Sequence, residues 1–180
     1  MSDVLFGVEA GQSQDYRPVA KPSTGSDVWL TPPDLLAALG VFDLDPCAAP
    51  NPRPWPTARQ HYTLPTDGLA EPWEGRVWLN PPYSNVRPWL ARLADHGRGP
   101  ALIFARTDTA AFHEQVWQRA TALRFLRGRV TFYRPTATPG RDRAGGATSP
   151  SVLVAYGDAD ADVLRGCSIP GAFVTLGATS

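Results

Sequence analysis

Val77-Trp78-Leu79-Asn80-Pro81-Pro82-Tyr83 reads as a short apolar strand that runs directly into a stiff loop. Each proline locks φ at about −65° and has no N–H, and the residue before each proline is driven into extended geometry. A strand that ends this way leaves the Asn80 side-chain oxygen and the Pro81 carbonyl as two fixed acceptors, with Pro82 stiffening the loop and the flat ring of Tyr83 beside them. Asn-Pro and Pro-Pro also begin ordinary turns, so the surroundings of the loop decide its meaning.

Two acceptors next to an aromatic face suit an adenine turned out of a duplex, whose exocyclic amino group has two hydrogens to donate and whose ring stacks well. That amino nitrogen is a poor nucleophile because its lone pair is delocalised into the ring. Holding both N–H bonds favours a more tetrahedral nitrogen with its lone pair directed at an electrophile, which is positioning and electrostatic stabilisation without acid–base chemistry. The tetrapeptide therefore points to methyl transfer onto an amino group, with no catalytic His or Cys required.

Upstream of the loop, Thr31 is expected to cap a helix that begins at Pro32, with Leu35, Leu36 and Leu39 on its apolar face and Gly40 closing it. A short strand over 41–45 ends on Asp45-Pro46-Cys47, and in open α/β sheets ligands gather at the carboxyl ends of strands. Residues 50–75 contain six prolines and two tryptophans without a period, the composition of a long functional loop or lid. Strands are expected over 76–79, 101–105, 123–126, 130–133 and 152–156, helices over 86–96, 109–120 and 158–164, and an edge strand over 172–176. This alternation predicts an α/β domain with a mostly parallel sheet flanked by helices, spanning 27–180 behind a flexible arm at 1–26. Residues 135–150 read as a mobile basic loop carrying Arg141 and Arg143.

Several segments together resemble one family, the phage-type DNA N6-adenine methyltransferases (Dam-like). They are Trp29-Leu-Thr-Pro-Pro, Phe42-Asp-Leu-Asp-Pro-Cys-Ala, Thr66-Asp-Gly-Leu, Trp73-Glu-Gly-Arg-Val-Trp-Leu-Asn-Pro-Pro-Tyr-Ser, Ala105-Arg-Thr-Asp-Thr, Gly128-Arg-Val-Thr-Phe and Ser149-Pro-Ser-Val-Leu-Val. The resemblance implies a Rossmann-like class I enzyme that uses S-adenosylmethionine to methylate adenine N6 in double-stranded DNA, encoded by a phage or prophage and working in the bacterial cytoplasm. Asp43-Leu-Asp-Pro-Cys stands where methyltransferases at large carry a glycine-rich turn.

On that resemblance the catalytic residues are Asn80, Pro81, Pro82 and Tyr83, and the cofactor segment comprises Trp29, Thr31, Asp45, Pro46, Cys47 and Asp67. Asp45 suits the methionine ammonium or the ribose hydroxyls, or else caps a turn. Asp67 resembles a second acidic cofactor position that accepts an adenine N–H; an Asp-Gly turn is its plain alternative. Trp29 and Thr31 resemble the segment over the methionine end, where Trp29 stacks on the sulfonium or simply plugs the core. Arg106 suits a phosphate or the methionine carboxylate, or pairs with Asp108. Arg129 is a DNA contact or a turn-closing residue, and Arg141 and Arg143 are expected on DNA.

Composition bounds the rest. The chain of 180 residues has no net charge, yet residues 76–143 hold twelve Arg against four acids, so this half carries +8 and the remainder −8. That asymmetry suggests a phosphate-facing side, or else solvated helix faces. No apolar run is long enough to span a bilayer or act as a signal peptide. Cys47 and Cys167 are too few for a disulfide framework, and Cys47 reads as a small buried residue. His61, His96 and His113 lack metal-ligand spacing, so no metal is expected. The H-x-E and P-C-x-x-C of zinc deaminases, the P-loop G-K-[ST] and the dinucleotide G-x-G-x-x-G are all missing. Alternatives are the same machinery aimed at cytosine N4, RNA adenine or a protein glutamine, and a catalytically silent DNA-binding protein of the same fold.

Overall fold

The computed structural model describes residues 29–133, 143–147 and 149–177; the expected arm at 1–26 and Arg141 lie outside them. In chain order come helix α1 (Pro33–Leu39), strands β1 (Leu44–Asp45) and β2 (Gln60–His61), helix α2 (Val86–His96) and strand β3 (Gly99–Phe104). A helical segment follows that starts as α3 (Ala110–Phe112) and widens into a π-helical turn (His113–Trp117). Strands β4 (Ala122–Leu126), β5 (Thr131–Tyr133), β6 (Arg143–Gly146) and β7 (Ser151–Tyr156), helix α4 (Asp158–Gly166) and strand β8 (Gly171–Thr175) complete the chain.

The stretch Val77–Leu79 is fully buried and lies between β1 and β3, bonded to both. Trp78 N–H donates to Leu44 at 2.9 Å, Leu79 N–H to Pro100 at 3.1 Å, and Leu102 N–H to Leu79 at 2.9 Å. Both junctions are parallel, as is the pairing of β2 with the far side of β1. The chain thus leaves β1 for β2 on one side and returns to Val77–Leu79 on the other. Connections that diverge from a central strand in this way open a crevice at the carboxyl ends.

Beyond β3 the expected parallel sheet is not what forms: β3 pairs with β7, β7 with β4, and β4 with β8, all antiparallel. The sheet is therefore mixed. Helical connections do link strands running the same way, β3 to β4 and β7 to β8, but these partners are not neighbours, because β7 lies between the first pair and β4 between the second. Alternation of helices and strands reports the direction of the returning strand and says nothing of what is inserted beside it.

Helices cover both faces. Val152, Val154 and Tyr156 of β7 pack with Leu90, Leu93, Phe112 and Val116, whereas Leu153 and Ala155 pack with Leu35, Leu39, Ala161 and Leu164. This two-residue alternation is the pleat of one strand feeding two apolar layers. Helix α1 starts one residue later than expected: Pro32 occupies the N-cap with no side-chain bond, Pro33 opens the helix, and Thr31 is buried instead of capping. Gly40 ends it at φ 93°, a left-handed conformation that favours glycine. Thr109, expected as the first residue of the next helix, is instead its N-cap, accepting from Phe112 N–H at 3.3 Å.

Candidate active site

The crevice between the carboxyl ends of β1 and Val77–Leu79 holds a cavity of about 330 Å³. Three segments wall it: Pro46–Pro50 after β1, Tyr62–Leu64 with Thr66–Gly68 after β2, and Asn80–Tyr83 after the central stretch. Trp29 and Trp89 complete the lining. The loop after β2 comes so close to the first segment that a Cβ on Gly68 would lie 1.8 Å from the Pro46 carbonyl oxygen, so only glycine fits there. Its other end is held by Trp73, whose indole N–H donates to Gly68 at 2.7 Å and whose ring stacks on Trp89 of α2 at 6.4 Å.

Asn80 is held from two directions. Its Nδ2 donates to the Trp29 carbonyl at 3.4 Å, and its backbone carbonyl accepts from the Cys47 thiol at 3.4 Å. The amide oxygen Oδ1 is buried with no hydrogen-bond partner. Among the described residues no donor reaches the Pro81 carbonyl either. A buried acceptor left unpaired costs about 1–3 kcal/mol, so Oδ1 is poised for a donor from elsewhere. Tyr83 opens a 3₁₀ turn (Tyr83–Asn85) and stacks on Phe104 with centroids 3.9 Å apart and planes 5° apart. Its hydroxyl is also buried without a partner, and burial keeps it protonated by raising its pKa.

Asp45 is buried and does not line the cavity. One carboxylate oxygen accepts from Cys47 N–H at 3.1 Å and the other from the Thr57 hydroxyl. Burial, only partly offset by these bonds, pushes its pKa up to about 6. The carboxylate thus holds the turn into Pro46 and Cys47 and ties it to the proline-rich stretch. His61 supports the same stretch, accepting from the Thr57 and Ala58 N–H groups at 3.3 Å each. Burial and the neighbouring Asp45 charge push the Cys47 thiol well above the usual thiol range, which removes it as a nucleophile.

Asp67 lines the cavity, with one oxygen accepting from Leu69 N–H at 3.0 Å in a tight turn. Trp29 is 38 % exposed and Leu64 85 %, so two large apolar side chains stand at the cavity mouth. Trp29 does not plug the core. Thr31 is buried behind it, outside the lining, with its hydroxyl unpartnered. Sequence reasoning missed Thr57, which shows no periodic or motif signal, and Trp89, which reads only as an apolar helix position.

Apart from Arg98, which is exposed at the amino end of β3 with no side-chain hydrogen bond or ion pair among the described residues, the arginines from 76 to 129 divide into two groups. Arg76 pairs with Asp160, Arg87 with Glu114 and Arg119 with Asp95, while Arg92 and Arg124 donate to backbone carbonyls. Arg106, Arg127 and Arg129 are exposed, and among the described residues their side chains make no hydrogen bond or ion pair; Arg106 does not pair with Asp108. Arg106 sits over the Phe104 ring at 5.7 Å. These three follow the carboxyl ends of β3 and β4, which run in the same direction as Val77–Leu79, so they share a sheet edge with Asn80. The backbone of Arg143 lies in β6; its side chain lies outside the described residues. Among the described residues no cluster of His, Cys, Asp or Glu could hold a metal, and no helix is long and apolar enough to cross a membrane.

Comparison with known proteins adds family to geometry. A curated DNA N-6-adenine-methyltransferase of Escherichia phage T1 is 29% identical over 109 residues, covering 55% of this chain and 44% of the relative. The chain thus spans less than half the length of that relative. No solved structure matches it. The family described as DNA N-6-adenine-methyltransferase (Dam) matches over residues 19–162, a stretch that contains every wall of the cavity and the whole Asn80–Tyr83 loop, and the chain belongs to that family.

Proposed function

We propose that the chain binds S-adenosylmethionine in the cavity and methylates the N6 amino group of adenine in double-stranded DNA, on a Rossmann-like class I scaffold. The observation that carries this reading is Asn80, which lines a ligand-sized cavity at the divergence of the strands and whose amide oxygen is buried and unpartnered.

The residues present fit the cofactor. Apolar Pro46, Ala48, Ala49 and Leu64 suit an adenosyl group, Asp67 keeps one carboxylate oxygen free of the turn bond, and Trp29 and Leu64 at the mouth are exposed apolar surface of the kind a ligand covers. S-adenosylmethionine supplies an electrophilic methyl group. Asn80 Oδ1 and the Pro81 carbonyl accept the two amino hydrogens, which turns the nitrogen lone pair out of conjugation. Tyr83, backed by Phe104, presents a flat aromatic partner for the base. Asp45 works at one remove, holding the turn whose Cys47 thiol meets the Asn80 carbonyl.

Arg106, Arg127 and Arg129 on the Asn80 edge favour a nucleic acid over a protein glutamine, because unpaired arginines beside the site offer phosphate contacts without first breaking an ion pair, and the family favours DNA among nucleic acids. The phage T1 relative supports a phage or prophage origin. The test is single-turnover transfer of labelled methyl to an adenine-containing duplex. Asn80→Ala is expected to lose about 10²–10³ in rate with cofactor affinity nearly intact, and Asn80→Asp, which still accepts hydrogen bonds, to keep part of what alanine loses. Transfer by Asn80→Ala at the wild-type rate would make the loop a turn and nothing more.

A further inference from the structure

Trp55 lies in the proline-rich stretch between β1 and β2 and does not line the cavity. Its indole N–H donates to the Thr31 carbonyl at 3.0 Å, and its ring meets Tyr133 edge-on, with centroids 5.2 Å apart at 86°. Beside it, Leu30 and Tyr133 exchange both backbone hydrogen bonds, at 2.9 and 3.0 Å. Leu30 and Tyr133 are buried in a small apolar cluster with Ala49 and Trp55, and Trp55 also packs against the layer that holds Leu35, Leu39 and Trp78. Residues 29–31 thus form a strap fastened at Leu30 to β5 and at Thr31 to Trp55.

The strap ends on the group that orients Asn80. The Trp29 carbonyl accepts from Asn80 Nδ2 at 3.4 Å. An amide held by its NH₂ end presents its oxygen on the other side, and Oδ1 is the atom left buried and unpartnered. Turned by 180°, the same amide would set a donor against the amino group of its substrate, donor against donor. A contact of 3.4 Å is long for a hydrogen bond, so a small shift of the strap releases it.

We propose that Trp55 is a positioning residue for Asn80, anchoring the strap so that the Trp29 carbonyl holds the amide with its oxygen as the acceptor. The proposal rests on the methyl-transfer role of Asn80 given above. Its test is a double-mutant cycle on single-turnover methyl transfer at saturating S-adenosylmethionine and duplex, using Trp55→Phe, Asn80→Ala and the pair. With Asn80 present, Trp55→Phe is expected to slow transfer about tenfold, the weight of one neutral hydrogen bond; with Asn80→Ala present, it is expected to cost nothing more. Replacing the indole of residue 55 by benzothiophene, which removes only the N–H, is expected to give the same pattern, and thermal melting checks that each protein is folded. An equal loss in both backgrounds, or none in either, overturns the proposal. If Asn80→Ala itself transfers methyl at the wild-type rate, the proposed function has failed and not the strap alone.

Discussion

Asp45→Asn tests whether the buried carboxylate beside the cavity is held against its own charge. Asp45 is 4 % exposed, and its pKa is pushed from the ordinary 3.8 to about 6, first by burial, with the Thr57 and Cys47 bonds and the Arg53 charge pulling the other way. A carboxylate whose folded pKa is raised contributes stability that is complete below the unfolded value and is lost as pH rises through the folded one. The shift of roughly two pH units amounts to about 3 kcal/mol of folding free energy forfeited by pH 7.5. Asparagine keeps an oxygen for the Cys47 N–H, and the Thr57 hydroxyl accepts from the new NH₂ as readily as it donated to the acid. The variant is therefore expected to lie within about 1 kcal/mol of wild type near pH 4 and to exceed it by up to about 3 kcal/mol at pH 7.5. Urea unfolding followed by tryptophan fluorescence, at fixed ionic strength from pH 4 to 7.5, measures the difference. Taking it between the two proteins cancels His61, whose pKa burial lowers and whose contribution is lost as pH falls. Calorimetric titration on the same samples is expected to find S-adenosylmethionine affinity close to wild type for Asp45→Asn, because the carboxylate acts through the turn. A stability difference that stays flat across the window would refute the reasoning, and a large loss of affinity would place Asp45 on the cofactor itself.

Arg106→Ala, Arg127→Ala and Arg129→Ala combined are expected to flatten the salt dependence of duplex binding by about two to three units of log K against log salt, with cofactor affinity unchanged; fluorescence anisotropy over a salt series measures it, and an unaltered slope removes this edge from the DNA interface. Gly68→Ala puts a Cβ 1.8 Å from the Pro46 oxygen, so one wall of the cavity must move. Overpacking of this kind costs about 1–3 kcal/mol, read as a lower melting temperature and at least tenfold weaker S-adenosylmethionine binding by calorimetry, and an unchanged binding isotherm would place the cofactor elsewhere.

Local chemistry alone determines much of this molecule. Two prolines after an apolar run specify a strand end and a stiff loop whatever packs around them, and Asn80 and Tyr83 stand there. Pro32-Pro33, Thr109 and Gly40 mark helix ends because capping depends on the residue and its immediate neighbours, and Pro33 itself keeps Pro32 extended and so becomes the first helical residue. The order of strands is decided at longer range: β7 enters between β3 and β4 because its apolar residues on alternate faces satisfy both helical layers at once, a property of the assembled sheet that no window of sequence contains. The same holds for the site. An aspartate at a strand end is as well suited to a ligand as to a turn; the Cys47 N–H two residues on is a local partner, and only folding brings Thr57 to the other oxygen of Asp45. Which arginines remain free was equally hidden, since Arg76, Arg87 and Arg119 find their acids 84, 27 and 24 residues away, while Arg106, Arg127 and Arg129 find none among the described residues. Short-range sterics write themselves into the sequence; partners chosen across the fold exist only once the chain has closed on itself.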